Sequence, residues 1–538
     1  MAFQNWDDHD RSNRYTAQSI AKAYLQSIAE DKGAMIFSIG DNDTFALWYA
    51  QEIEEFRTDV RTINTSLLAT DWYIDQMKRQ TYKSPPIPAQ IKHEQYAYGI
   101  RDYIKHEGIR DSIRIDIKDF VNWVTSDNPA TKYRSFLMQN GVDPSYYPEG
   151  TQEMVFYPTN KIRVPVNKEN VLKSGIVKPE DADLIVPYID IDLPTSGITK
   201  NQFLMLDILA NNNWERPIYF TGGSYNDAEY IWMKPFLQLD GLVYKLVPIE
   251  TPLSKVNPYL MGRIDSSLMY DIVMQWDWGN AEDPNIYHDP ETRKNSISFR
   301  SNLARLAESL ILEGKNDKAR NILDLAMEKM PVDYFGYYSL LVPFVDGYFR
   351  LGDQEKARSL YQQLAFKYAN RLGYYATLAP ADQYGIGEEI ITEIERYRTL
   401  TETLSANNET DILEAALEQF TKAITPFVFL YGNYDFYTQL YPVVEGYYSA
   451  GVPEKAKVLA DKILQALEGR MQVYSRFSSE NQMLLMDRIK SELMDFQEFV
   501  LLMQQADNSA YATEVLNRYN ASVEALLVEE ATATPEED

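Results

Sequence analysis

The sequence contains no cysteine. That excludes disulfides, thiolate zinc sites and cysteine nucleophiles, and leaves any chemistry to carboxylates, hydroxyls, amides and four histidines. It does not fix the compartment, because an oxidising one can also hold a Cys-free protein. Long apolar runs are missing too. Nothing approaches the roughly 18 uninterrupted apolar residues of a membrane span, and Met1–Tyr15 lacks the charged-then-apolar layout of an export signal. Basic residues are the scarce charge: 52 Lys and Arg against 79 Asp and Glu, a formal −27. Such a surface repels nucleic acid and anionic headgroups, so no nucleic-acid partner is expected. No Gly-x-Ser-x-Gly elbow, phosphate loop, dinucleotide fingerprint or His-Glu-x-x-His motif occurs.

What is present suits a soluble multidomain chain: 538 residues exceed one ordinary core, and the 45% hydrophobic fraction supplies several. The first half alternates helical and strand patterns. Apolar residues at Ile20, Ala23, Tyr24 and Ile28 predict a helix over Thr16–Glu30, followed by a buried strand, Ala34–Ile39. The turn Gly40–Asp43 then leads into a helix over Thr44–Phe56 and a Val/Ile/Thr-rich strand over Asp59–Leu67. Such a crossover unit carries parallel strands, and ligands bind beyond their carboxyl ends. Gly40–Thr44 and Asn64–Thr70 would both lie there. Between Ser84 and Gly150 the signal weakens, with a short hairpin or edge insertion around Ser112–Phe120. Order returns with a strand over Leu184–Ile191, a helix near Lys200–Asn211, the strand Pro217–Thr221, and paired strands around Phe236–Leu237 and Leu242–Pro248.

Beyond Asn295 the periodicity is almost purely helical, and the signature Gly-x-x-x-Lys-Ala occurs at Gly314, Gly352 and Gly451. The first two copies are 38 residues apart, near the roughly 34 of a tetratricopeptide unit. The third lies 99 further on, which reads as an interrupted or degenerate array. The expected fold is therefore α/β followed by all-α. Residues 1–255 form a Rossmann-like α/β domain with a mixed or parallel sheet and an insertion around 84–180. A connector over 256–295, a tetratricopeptide-like helical domain over 296–528 and a disordered acidic tail over 529–538 complete it.

Three segments bear on function. Asp41, Asn42 and Asp43, with Asn64 and Asp71 from the neighbouring strand end, form a candidate site for a sugar or a divalent ion. The plainer alternative has Asp43 capping a helix from Thr44 while Asp41 and Asn42 set the turn. His9, Arg11 and Arg14 form a candidate anion or interface cluster, or an ordinary charged helix lead-in. His93, His106 and His288 stand in no motif. The aromatic clusters Tyr334–Tyr348 and Phe427–Tyr441 read as inter-helix packing, or in part as a groove lining.

The runs Asn5-Trp-Asp-Asp-His-Asp-Arg-Ser-Asn-Arg-Tyr-Thr16, Gly40-Asp-Asn-Asp-Thr-Phe45, Leu47-Trp-Tyr-Ala-Gln-Glu52 and Ser66-Leu-Leu-Ala-Thr-Asp-Trp-Tyr-Ile-Asp-Gln-Met77, with Leu206–Phe220 and Gly241–Pro248, resemble the soluble C-terminal part of a bacterial membrane-protein family. That family is common in Bacteroidetes, designated domain of unknown function 2723 and regarded as protein O-mannosyltransferase-like. The resemblance covers the first half closely and the helical half only in layout. It implies an upstream bundle of membrane helices that bears the catalytic residue, so no catalytic residue maps onto this chain. It further implies a non-catalytic module on the periplasmic face of the inner membrane, touching the membrane only through that upstream part. Phe3 and Trp6 would suit an interfacial anchor. The expected partners are the membrane-embedded glycosyltransferase domain and an acceptor protein or peptide. This reading requires no cofactor and leaves room for a divalent cation. The alternatives are a stand-alone tetratricopeptide adaptor or a sugar- or metal-binding α/β domain.

Overall fold

A computed structural model describes residues 10–224, 226–255, 257, 260–427, 437–507 and 510–527. The chain divides into two compact units, Met1–Gly336 and Tyr337–Asp538. Mixed sheets occupy the N-terminal half, and the C-terminal region is all helical.

In the first unit, helix α1 (Thr16–Gln26) precedes strand β1 (Met35–Ser38), helix α2 (Asp41–Glu52), strand β2 (Arg61–Asn64) and helix α3 (Asp71–Met77). Next come β3 (Tyr103–His106), β4 (Ile115–Asp116), α4 (Ile117–Thr125), β5 (Phe156–Tyr157), β6 (Lys161–Pro165), β7 (Tyr188–Asp192) and β8 (Ile198–Thr199). The unit continues with α5 (Lys200–Asn212), β9 (Ile218–Thr221), β10 (Leu237–Asp240), β11 (Val243–Leu246), α6 (Ser266–Val273), α7 (Pro290–Leu312) and α8 (Asn316–Lys329). The main sheet runs β10-β11-β9-β1-β2. Strand β1 is parallel to β2 and β9, with Met35 opposite Arg61 and Ile218, while β11 turns antiparallel to β9. Every residue of β1, β2 and β9 is buried, as expected of strands covered on both faces.

The weak region between β2 and α5 builds two small sheets, β5-β3-β8 and β4-β6-β7. In the β6–β7 pair, Ile162, Val164, Ile189 and Ile191 point inward, and Arg163 binds Asp190 outside. The Ser112–Phe120 stretch is a two-residue strand running into α4 rather than a hairpin, because Asp116 caps the helix by accepting from the Lys118 amide. Leu184 ends a 3-10 turn, and the predicted strand begins later, at Tyr188.

Between β10 and β11, Gly241 adopts φ 61°, and a Cβ there would stand 2.3 Å from Ser27 Oγ and 2.9 Å from a Trp276 ring carbon. Only glycine satisfies both restraints. With no disulfide available, arginines cross-link irregular backbone. Arg57 donates to the carbonyls of Leu25, Ile28 and Ala29, and Arg101 to those of Gln95, Val124, Thr125 and Ser126. Arg305 of α7 binds the Met261 and Gly262 carbonyls, and Asn302 binds that of Gly241. Helices α7 and α8, which periodicity alone groups with the later helices, thus belong to the first unit.

The second unit comprises α9 (Val342–Arg350), α10 (Gln354–Tyr375), α11 (Gly387–Ala406), α12 (Thr410–Ile424), α13 (Tyr441–Ser449), α14 (Pro453–Tyr474), α15 (Met486–Ala506) and α16 (Ala510–Leu527). It is a duplication. Helices α9 and α10 recur as α13 and α14 with every boundary displaced by 99 residues (342 to 441, 354 to 453), and the short helix Pro380–Gly385 recurs as Ser479–Leu484. Gly347, Gly352, Lys356, Ala357, Arg371, Tyr375, Gln383 and Glu393 reappear as Gly446, Gly451, Lys455, Ala456, Arg470, Tyr474, Gln482 and Glu492. Both glutamates are buried among arginines: Arg371 lies 3.0 Å from Glu393, and Arg470 lies 3.3 Å from Glu492. The spacing that reads as an interrupted array is therefore the period of a four-long-helix module. Phe344, Tyr348, Phe427 and Tyr441 pack inward. Phe429, Tyr431, Tyr434 and Phe436, like the expected tail over 529–538, lie outside the described residues.

Candidate functional site

The carboxyl ends of β1, β2 and β9 bring Ser38, Asn64 and Thr221 to one edge. Gly40, at φ 85°, turns the chain so that α2 starts at once. The helix therefore begins at Asp41, three residues before the predicted Thr44, and Gly40 rather than Asp43 occupies the cap position. Asp41 and Asp43 fall in the first turn, where carboxylates favour the helix dipole.

Behind that turn the polar side chains bond to one another. Thr44 Oγ1 lies 2.7 Å from Ser38 Oγ, donates to the Gly40 carbonyl at 2.7 Å and receives the Asn64 amide at 2.9 Å. The Asn64 side-chain oxygen accepts from the Leu67 amide at 2.8 Å, and Asn64 is 1% exposed. Tyr73 takes the Asn64 backbone N–H at 2.9 Å, and burial pushes its phenol up to about 12. The Ile39 amide donates to Thr221 Oγ1 at 3.1 Å. Asp43 points inward, its carboxyl pKa raised by burial and partly offset by hydrogen bonds from Thr221 and Tyr24. Burial drives the Tyr24 phenol well above its ordinary value, and the Asp43 charge adds to this.

The structure thus ties Asp43 to Tyr24 and Thr221 and Asn64 to Thr44 and Leu67, each in internal bonds, and leaves Asp41 and Asn42 exposed. Asp71 stands apart from these bonds, accepting from the Trp72 and Tyr98 amides at 2.7 and 3.3 Å. Among the described residues, no three His, Asp or Glu side chains are placed to share a metal ion. Of the second cluster, His9 lies outside the described residues and Arg11 is exposed. Arg14 packs 4.9 Å above the Tyr287 ring and 3.6 Å from Asp289, ahead of α7.

A cavity of about 420 Å³ opens along the outer flank of β2, toward its amino end. Trp48, Trp72 and Tyr82 line it, the last two about half exposed, and Tyr82 donates to Glu52 at 2.5 Å. Arg61 lies on its wall, 3% exposed. The guanidinium binds Thr81 Oγ1 and the carbonyls of Arg79, Ser84 and Pro85, and its Nε has no partner among the described residues. Burial lowers its pKa. Sequence reading missed this cavity, although an arginine opening an otherwise buried strand was a visible signal, since such a charge must find acceptors.

The family model of TMEM260-associated domain 2 matches residues 17–268, from α1 into α6 and just under half of the chain. No curated protein and no solved structure matches.

Proposed function

We propose that this chain is a non-catalytic, extracytoplasmic module of a membrane protein O-glycosyltransferase, which binds acceptor protein or partner subunits beside a membrane-embedded catalytic domain. The observation that carries this reading is the strand-end edge. Its polar side chains are consumed internally, Ser38, Thr44 and Asn64 by one another and Thr221 by the Ile39 amide and Asp43, so a Rossmann-like crossover serves as a packed joint. The family resemblance supplies the glycosyltransferase context and the periplasmic side, and the duplicated, tetratricopeptide-like helices supply an extended protein-binding surface. Incubating the isolated chain with lipid-linked or nucleotide sugar donors and an acceptor tests it: turnover without a membrane domain overturns the assignment. As a stand-alone adaptor the same chain would bind partners with no membrane enzyme in the complex, which purification from detergent extracts distinguishes.

A second reading is favoured by the cavity on β2. Exposed aromatic faces and a buried guanidinium with an unused donor suit a small polar ligand there rather than at Asp41–Asp43. Tryptophan fluorescence titrated with simple glycans tests this reading. No response, or a response that survives replacement of both Trp48 and Trp72 by Ala, removes it.

A further inference from the structure

The duplication contains its own control. In the second copy, the face between α14 and α16 is closed by side-chain bonds. Arg518 donates to Glu468 at 2.6 and 2.8 Å and to Asp461 at 3.2 Å, and Tyr511 donates to Asp461 at 2.9 Å. The residues 99 positions earlier are Gln419, Ala369, Gln362 and Ile412. Among the described residues, none of these bonds has a counterpart there. Between α10 and α12 lies instead an open trough of about 640 Å³.

Its walls are small and apolar: Ala365, Ala369 and Gly373 on α10, Ala416 and Ala423 on α12. A Cβ at Gly373 would meet nothing within 4 Å. Phe366 is 62% exposed although it lines an apolar surface. From Tyr361 to Ala376 the trough follows α10 for about 22 Å, the length of a four-turn helix. Among the described residues, Lys422 is the single charged one lining it, on a chain of net charge −27.

We propose that this trough docks one amphipathic α-helix of a partner protein. Bulky aliphatic side chains fill the space left by the alanines and Gly373, and a carboxylate meets Lys422. Small residues facing large ones allow close backbone approach, and burial of the aliphatic face supplies the affinity. The inference rests on reading the helical unit as the protein-binding part and identifies which face does the binding.

The test selects a displayed library of helical peptides against the whole chain. Enriched peptides are then measured on a variant carrying the second copy's closure, Gln362→Asp, Ala369→Glu, Ile412→Tyr and Gln419→Arg. Expected are sequences with Leu, Ile or Met at i, i+4 and i+7 plus an acidic residue, whose affinity falls about tenfold or more on the closed variant. Lys422→Glu weakens them by about threefold or more. Gly373→Leu fills open space and favours the helix, and it blocks binding even if the fourfold variant folds poorly. Failure to enrich helical sequences, or equal affinity for Gly373→Leu, overturns the trough. Binders that ignore Gly373→Leu yet compete with an acceptor protein would overturn it while leaving the broader protein-binding reading intact.

Discussion

Replacing Asn64 with alanine separates a structural joint from a ligand site. The side chain is 1% exposed, gives its amide to Thr44 and accepts from the Leu67 amide. Each bond contributes about 1 kcal/mol net. Thr44 keeps Ser38 and the Gly40 carbonyl, so its hydroxyl is not orphaned. The Leu67 backbone is only part-buried, so water partly satisfies its N–H. Adding a small cavity, the loss is about 2–3 kcal/mol. Asp41→Ala, at an exposed position, should change stability by no more than about 0.5 kcal/mol. Hydrogen exchange of the β1 and α2 amides reads this locally, which matters in a chain of two compact units, where one overall transition is not assured. Exchange in residues 35–52 should accelerate about 30–150-fold for Asn64→Ala and stay near wild type for Asp41→Ala. If Asn64→Ala leaves exchange unchanged, or Asp41→Ala accelerates it equally, the joint is not what holds this edge.

Three further outcomes follow from buried groups. Glu492→Gln removes a fully buried carboxylate from Arg470, Arg488 and Tyr474 and should cost about 2–3 kcal/mol, because both arginines retain some access to water. Its duplicate Glu393→Gln should cost less, its arginines being 40% and 45% exposed; urea denaturation of the two variants ranks them, and the reverse order would refute the comparison. Gly241→Ala should destabilise by about 3 kcal/mol or more, through clash and left-handed backbone together, whereas Gly352→Ala, with open space around its Cβ, should lose about 1–2 kcal/mol from backbone alone, as thermal unfolding of each would register. Burial raises the Asp207 carboxyl from 3.8 to about 6, so the folded state holds a proton over that range that the unfolded state releases. Stability from this group is full below pH 4 and is lost as pH rises through 6. Asp207→Asn should flatten that limb when unfolding is followed from pH 4 to 7, and an unchanged slope would exclude Asp207 as its source.

Local pattern made the first crossover unit readable. An apolar run ending in Gly40-Asp-Asn-Asp43 announces strand, turn and helix, and the structure has the strand within one residue at each end, the helix starting three residues earlier and ending four earlier, at Glu52. The roles of the acidic residues were not readable, because they depend on distant chain. Asp43 meets Thr221 from another strand, and Asp71 meets the Tyr98 amide. Arg61 was legible only as an anomaly, since its four acceptors lie 18 to 24 residues on, in a loop without periodicity.

The 99-residue period is written in the sequence by Gly352 and Gly451, and it reads as a gap because the α11–α12 corner between them carries Asn408, Ile412 and Leu413 where the signature has Gly, Lys and Ala. At the α7–α8, α9–α10 and α13–α14 corners the chain turns on Gly314, Gly352 and Gly451, all with φ between 71° and 78°. At the α11–α12 corner the left-handed residue is Asn408, with φ 57°, so the glycine signature skips a hairpin that the fold keeps. Asparagine tolerates that conformation better than other side chains, and the geometry survives where the motif does not. The same logic sorts the duplicated positions. Those on which the two copies agree, such as Gly352 and Gly451, Ala357 and Ala456, and Glu393 and Glu492, are turns or buried contacts that either copy needs to fold. The pairs Ala369 and Glu468, and Gln419 and Arg518, differ between copies, and each difference changes whether a helix face is closed. Any binding role of the helical unit should therefore lie where its halves disagree, since a position kept for folding carries no information about a partner.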